Sequence, residues 1–201
     1  MDESFHSKYG AVAESYHIYI TAGFNFISDE RKEVNILEVG FGTGLNALLT
    51  YQESLSHNTV INYHAIEPYP LKSKIYSQLN YPDLIKNGHE IFKKFHQCDE
   101  NQEITIVDGF NFIKSFEEIQ EINLRDNFYD LVYFDAFNPD LEPEIWTEAV
   151  FKKIFKAMAA DSVLVTYSTK GDVRRAMKSV GFIVEKLPGP KGKREICRAF
   201  K

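Results

Sequence analysis

One stretch, residues 36–44 (ILEVGFGTG), constrains this chain more than any other feature. A short apolar run ends in Gly40, Gly42 and Gly44, and an apolar-periodic stretch begins directly after them. Glycines at such a corner allow a tight strand-to-helix turn and let a ligand approach the backbone. The context, strand before and helix after, is that of an open α/β sheet.

The remainder repeats the same alternation. Runs at 34–40, 60–67, 103–108, 129–134 and 162–168 are short and rich in Ile, Val, Leu and Tyr, as buried parallel strands are. Helices are expected at 45–55, 71–79, 110–119, 144–160 and 171–180. Five β-α units in succession predict a doubly wound parallel sheet. The last two runs, 182–187 and 196–200, are joined by PGPKGKR, which is too short for a helical crossover. They are expected to pair antiparallel. The predicted fold is therefore α/β and Rossmann-like, a seven-stranded, mostly parallel sheet closed by an antiparallel C-terminal hairpin. Residues 1–30 stand outside it. Ala11, Ser15, Ile18, Ala22 and Phe26 fall near one helical face, which suits a lid or a packing helix. The 201 residues are expected to form one domain, with 31–201 as its core.

Composition removes several classes. No apolar run reaches membrane-spanning length, and the acidic, polar start MDESFHSKYG is unlike a signal peptide. A cytoplasmic protein with no membrane partner is expected. Cys98 and Cys197 form no Cys-x-x-Cys pair, and the six histidines show no ligand spacing, so no metal is expected. The net charge of −6 hides an asymmetry: residues 170–201 carry +7 and the rest −13. A basic surface can hold a polyanion on an acidic protein. On charge alone, a solvated face is the plainer reading.

Ligands of such sheets bind beyond the C-terminal strand ends, where this sequence places a row of acids. Glu38 precedes a G-x-G-x-G loop, not the G-x-G-x-x-G that seats a pyrophosphate. It would repel a phosphate and suits a cation, such as a sulfonium with its ammonium. Glu67, before Pro68, can accept from two ribose hydroxyls. Asp108, before Gly109, can accept from an adenine amino group or simply cap the helix expected at 110. Asp135, in FDAFNP, points into the same crevice. A carboxylate there can orient an amine, accept its proton and balance a cationic transition state.

LEVGFGTGLNALLT, YHAIEPYPL, FDAFNPDLEPEIW and GDVRRAMKSVGFIVEKLPGPKGKREI together resemble the methyltransferase domain of the MnmC family of bacterial tRNA wobble-uridine enzymes. FHSKYGAVAESYHIYI is similar to that family's HS-x-x-GA-x-x-ES stretch. The resemblance covers nearly the whole chain. It implies a class I methyltransferase that uses S-adenosylmethionine to convert 5-aminomethyl-2-thiouridine in tRNA to its 5-methylaminomethyl form. It implies cofactor contacts from Glu38, Gly40, Phe41, Gly42, Thr43, Gly44, Asn46, Glu67, Pro68, Asp108, Gly109, Asp135 and Ala136. Asp135 and Phe137 would lie at the acceptor base. Glu14, Ser15, Lys170, Arg174, Lys193 and Arg194 would lie on the substrate side, and the basic tail would meet the tRNA. Well-known members also carry a flavin-dependent oxidoreductase domain. Nothing in 1–201 resembles it, so FAD is not expected, and a separate oxidoreductase or modification enzyme is the expected source of the aminomethyl group. The residues that usually precede HS-x-x-GA are largely missing. The alternative is an S-adenosylmethionine-dependent or polyamine-type transferase acting on a small-molecule amine, which needs no polyanion surface.

Overall fold

The computed structural model describes residues 10–28, 31–57 and 59–201. Eight strands form one sheet: β1 (Glu33–Val39), β2 (Val60–Ile66), β3 (Ile104–Val107), β4 (Phe110–Ser115), β5 (Tyr129–Phe134), β6 (Met158–Thr166), β7 (Ile183–Pro188) and β8 (Glu195–Phe200). Their order is β3-β4-β2-β1-β5-β6-β8-β7. The five central strands from β4 to β6 run parallel. β8 pairs antiparallel with both β6 and β7, which closes the sheet with the expected hairpin. The chain leaves β1 toward β2 on one side and later returns to β5 on the other. The crevice of the sheet therefore lies at the C-terminal ends of β1 and β5.

Alternation along the strands supplies two cores. Ile61, Tyr63 and Ala65 of β2 face one layer, with Val34 and Ile36 of β1. That layer holds α3 (Leu45–His57), α5 (Gly88–Gln97) and the N-terminal helix. The N-terminal helix runs as α1 (Ala11–Ser15), a π-helical stretch (Tyr16–Phe24) and α2 (Asn25–Ser28). The opposite layer packs α6 (Glu148–Ala157) and α7 (Gly171–Ser179) on Leu37, Val132, Phe134 and Leu164. α6 shows why these residues make a helix. The Thr147 hydroxyl caps its start by accepting from the Val150 N–H, and Val150, Phe151, Ile154 and Ala157 fall on one buried face. No helix among the described residues is long and apolar enough to cross a membrane.

The structure overturns several sequence expectations. Residues 110–115 are strand β4, not the start of a helix. Asp108-Gly109 is a two-residue hairpin turn, with Gly109 at φ +81°, joining β3 to β4 antiparallel. Phe110 and Phe112 face the core while Asn111 and Ile113 face away, a period of two. The sheet thus has eight strands, not seven, and the parallel neighbour of β2 is β4. The helix expected at 71–79 shrinks to one turn, α4 (Ser73–Tyr76), while α5, with Ile91, Phe92 and Phe95 on one face, fills that connection. β6 begins at Met158, so the helix before it is shorter than expected. Phe26 is 49% exposed, outside the face expected for it, because the π-helical register buries Tyr19, Ile20 and Phe24 instead.

Residues 116–128 form no helix, and Ile119 and Ile122 of this connection pack with Ile66 of β2, so no helix from it covers the far face of β3, β4 and β2. A chain of side-chain hydrogen bonds crosses it instead. Thr105 Oγ1 donates to Asn111 Oδ1 at 3.1 Å, Asn111 Nδ2 to Asn62 Oδ1 at 3.0 Å, Asn62 Nδ2 to Asn35 Oδ1 at 3.0 Å and Asn35 Nδ2 to Asp130 Oδ2 at 3.1 Å. Partners at each step satisfy these half-buried amides without a covering helix. Asn62→Ala breaks the chain at its centre. It is expected to lower stability by about 1 kcal/mol in urea unfolding and to leave ligand binding unchanged.

Candidate active site

A cleft of about 500 Å³ opens at the C-terminal strand ends, lined by the glycine loop, by residues 67–69, 118–120 and 135–138, and by side chains from the N-terminal helix. Gly40 forms the corner, at φ +89°. A Cβ there would lie 2.6 Å from the Asp135 carbonyl oxygen, so no other residue fits between β1 and β5. The Gly40 and Phe41 amides both donate to the Ile66 carbonyl, at 3.0 and 3.2 Å. Gly42 differs: at φ +49°, its Cβ would meet nothing within 4 Å. Gly42 and Thr43 both line the cleft. Gly44 lies outside the cleft lining, and a Cβ there would strike the Phe41 ring at 2.7 Å.

Glu67 ties the second strand end to this loop. Its Oε2 accepts from the Gly42 N–H at 2.7 Å and its Oε1 from the Tyr69 N–H at 3.0 Å. Each carboxylate oxygen keeps a further lone pair, and Glu67 and Pro68 line the cleft. Asp108 and Gly109 do not, which corrects the expectation for them. Their hairpin sits at the other end of the sheet, where the Gly109 carbonyl accepts from the Ile61 N–H near the start of β2 at 2.8 Å. Glu118, Ile119 and Gln120, on the loop after β4, occupy the corresponding part of the cleft. The period-two pattern of FNFIKS and the Asp-Gly turn were the signals for this shift.

Asp135 is held from two sides. The Tyr19 hydroxyl donates to its Oδ1 at 2.5 Å and Asn46 Nδ2 to its Oδ2 at 2.8 Å. Removal from water pushes the carboxyl up to about 6, against the pull of those two hydrogen bonds and the Lys193 charge. Glu38 sits one layer deeper, fully buried and outside the cleft lining. Its Oε1 accepts from Asn46 at 2.9 Å and its Oε2 from the Tyr63 hydroxyl at 2.9 Å. Burial raises this carboxyl well above the usual range. Glu38 therefore reaches a ligand only through Asn46, contrary to the direct role expected for it. Asn46 Oδ1 is buried and has no hydrogen-bond partner, an acceptor that a donor in the cleft would satisfy.

The roof joins the two ends of the chain. Lys193 pairs with Glu14 and lies 4.5 Å from the centre of the Tyr167 ring. Glu14, Ser15, Ala136 and Phe137 all line the cleft, and Phe137 is 45% exposed at its mouth. The Tyr167 hydroxyl donates to the Ala136 carbonyl at 2.9 Å and Trp146 Nε1 to the Phe137 carbonyl at 2.8 Å, which fixes that segment. Lys170, Arg174 and Arg194 lie outside the lining. Lys170 pairs with Asp140, Arg174 Nε donates to the Thr169 carbonyl at 3.2 Å, and Arg194 is exposed. Arg175, Lys186 and Arg198 pair with Asp172, Glu195 and Glu185. Much of the basic tail is thus matched by acids. Among the described residues, no group of three or more His, Cys, Asp or Glu side chains could hold a metal ion. The sequence pointed to neither Tyr19 nor Tyr167, because both reach the cleft through tertiary packing alone.

The strand order with its antiparallel end, and a cleft over a glycine loop, define a class I methyltransferase fold. A family described as S-adenosyl-L-methionine-dependent methyltransferase matches residues 83–201, more than half of the chain, and the chain belongs to that family. It is 27% identical to the tRNA 5-methylaminomethyl-2-thiouridine biosynthesis bifunctional protein MnmC of Aromatoleum aromaticum, over 96% of this chain and 32% of that one. The protein of the same description from Legionella pneumophila is 24% identical, over 100% of this chain and 34% of that one. The chain thus spans about a third of the length of the curated relatives it matches. Among solved structures, MnmC2 from Aquifex aeolicus superposes with a TM-score of 0.78 at 23% identity, covering 98% of this chain and 64% of that one, a likeness of fold.

Proposed function

We propose that this chain methylates the primary amine of a 5-aminomethyl-2-thiouridine at the tRNA wobble position. The observation that carries this reading is Asp135, held in the cleft between Tyr19 and Asn46, with a carboxyl that burial pushes up to about 6. The similarity to MnmC proteins of tRNA 5-methylaminomethyl-2-thiouridine biosynthesis supports the choice of acceptor.

The cleft fits S-adenosylmethionine on its own chemistry. Asn46 Oδ1 offers an unused acceptor for an amino-acid ammonium, Gly42 leaves open space over the loop, and Glu67 keeps acceptors for ribose hydroxyls. Glu118 and Gln120 would meet the adenine. When bound, the cofactor supplies an electrophilic methyl group on a positively charged sulfur. Asp135 would take one proton from the acceptor ammonium, and the freed nitrogen lone pair would form the new N–C bond as the S–C bond breaks. Phe137, exposed at the mouth, would stack against the acceptor base. Proton removal and positioning are the main contributions left to the protein.

On this reading Lys193, Arg194, Lys170 and Arg174 face the RNA backbone, and the protein works in the cytoplasm with an aminomethyl group supplied by a separate enzyme. Changing Lys193 and Arg194 together to Ala is expected to weaken tRNA binding and to flatten its salt dependence by about 0.7–0.9 in log–log slope per lost phosphate contact. An unchanged slope removes both from the RNA surface. The internal pairing of Lys170, Arg175, Lys186 and Arg198 favours a second reading, a small amine acceptor. One assay separates the two: methyl transfer from labelled S-adenosylmethionine to tRNA lacking the modification, followed by nucleoside analysis. Label in 5-methylaminomethyl-2-thiouridine supports the tRNA reading, and its absence with the cofactor still bound supports the small amine.

A further inference from the structure

The N-terminal helix meets the sheet in an unusual way. Its π-helical stretch buries Ile18, Tyr19 and Ile20, then Ala22, Gly23 and Phe24. Two contiguous triplets make a broader buried face than the i, i+3, i+4 stripe of an α-helix, and π-helical turns are frequent at functional sites. Gly23 lets this face lie close: a Cβ there would sit 3.0 Å from Val165 Cγ2 and 3.3 Å from Tyr133 Cε1. The close seat brings the Tyr19 hydroxyl to Asp135 Oδ1. Tyr19 is 2% exposed, with its ring centre 5.3 Å from that of Tyr133, so the phenol is locked in place.

We propose that Tyr19 is a positioning residue whose hydroxyl clamps one oxygen of Asp135, fixing the rotation of the carboxylate and holding it ionised for the acceptor amine. The proposal rests on the reading that Asp135 takes the acceptor's proton. A phenol donating to a carboxylate stabilises the charged form, and more so away from water. The other groups around Asp135 leave that task open. Glu14 on α1, Glu38 on β1 and Tyr63 on β2 bring no positive charge, and Lys193 is shared with Glu14. Asn46, a neutral amide, gives one N–H to Asp135 and the other to Glu38. Burial and the neighbouring carboxylate push the Tyr19 phenol well above its usual range, so it stays protonated and donates.

The test uses Tyr19→Phe in the full chain, with two readouts. The first follows the Asp135 carboxyl by carbon NMR of protein carrying labelled aspartate, assigned with Asp135→Asn, without substrate. Its midpoint is expected to rise by on the order of one pH unit, the scale of one strong hydrogen bond to the charged form. The second is the pH profile of methyl transfer, whose acid limb should move up by the same amount. kcat should fall near neutrality and recover at high pH, with unchanged cofactor affinity. A loss equal at all pH values, or an unmoved midpoint, overturns the proposal. If Tyr19→Phe fails to fold, 3-fluorotyrosine at position 19, a more acidic donor, should lower the midpoint, and no change there also overturns it. A shifted midpoint without label in tRNA leaves the clamp standing and refutes the acceptor reading alone.

Discussion

Replacing Asp135 with asparagine is expected to lower methyl transfer by about 10²–10⁴-fold, the usual contribution of a positioned general base. The substitution keeps the shape and removes only the charge and the proton acceptor. Affinity for S-adenosylmethionine should stay within about threefold, a difference below 1 kcal/mol. If cofactor binding falls as far as turnover, Asp135 is a cofactor ligand and not the base. If Asp135 takes the acceptor's proton as proposed, the rate of the unsubstituted protein should rise with pH through about 6 and then level off.

Stability should move in the opposite direction. Burial pushes the folded carboxyl up to about 6 from an ordinary 3.8, so the native state binds this proton more tightly than the unfolded chain. Between those values the native state loses stability as pH rises, and the full cost is present above 6. It is at most roughly 3 kcal/mol, from about two units at 1.36 kcal/mol each. Asparagine removes that cost. Turning Asn46 over would let its Oδ1 accept from the new amide but would break the Asn46 bond to Glu38, so this exchange adds no net hydrogen bond and the gain is the removed charge cost alone. Thermal unfolding at pH 7.5 should therefore occur at an unchanged or higher temperature while catalysis is lost. A lower Tm would mean that Asp135 holds the cleft together.

The parts of this picture that were legible from residues alone follow from local rules. The glycine corner, Glu67 at a strand end, Asp135 before Pro139 and the closing hairpin each rest on a few adjacent residues. The failures were of two kinds. At Asp108-Gly109 two local rules compete, since Asp caps helices and Asp-Gly also turns hairpins. The alternation of Phe110, Phe112 and Lys114 was the deciding signal. Tyr19 is a failure of the second kind. No periodicity marks a π-helical register, and Tyr19 meets Asp135 across 116 positions of sequence. Glu38 combines the two: its place before the glycines was readable, but its burial behind Asn46 was set by the packing of α3.

Gly40→Ala and Gly42→Ala are expected to part company. At position 40 the added Cβ would stand 2.6 Å from the Asp135 carbonyl oxygen and 2.9 Å from its carbon, both backbone atoms of the segment that carries Asp135. Neither strand can yield without breaking the Gly40 N–H bond to Ile66 or the Asp135 N–H bond to Val39, at 3.0 and 2.9 Å. The positive φ adds about 1–2 kcal/mol of strain. Gly40→Ala should thus lower the Tm and weaken S-adenosylmethionine binding by at least about 100-fold, roughly 3 kcal/mol. At position 42 the protein offers the new methyl group open space, so the fold should lose only the smaller cost of a left-handed alanine. Any loss of cofactor affinity in Gly42→Ala then reports the ligand passing directly over the loop. Isothermal titration beside thermal unfolding separates the cases. A Gly42→Ala protein that binds like the unsubstituted one would move the cofactor off the loop, and a Gly40→Ala protein that binds normally would show that the β1–β5 corner does not shape the site.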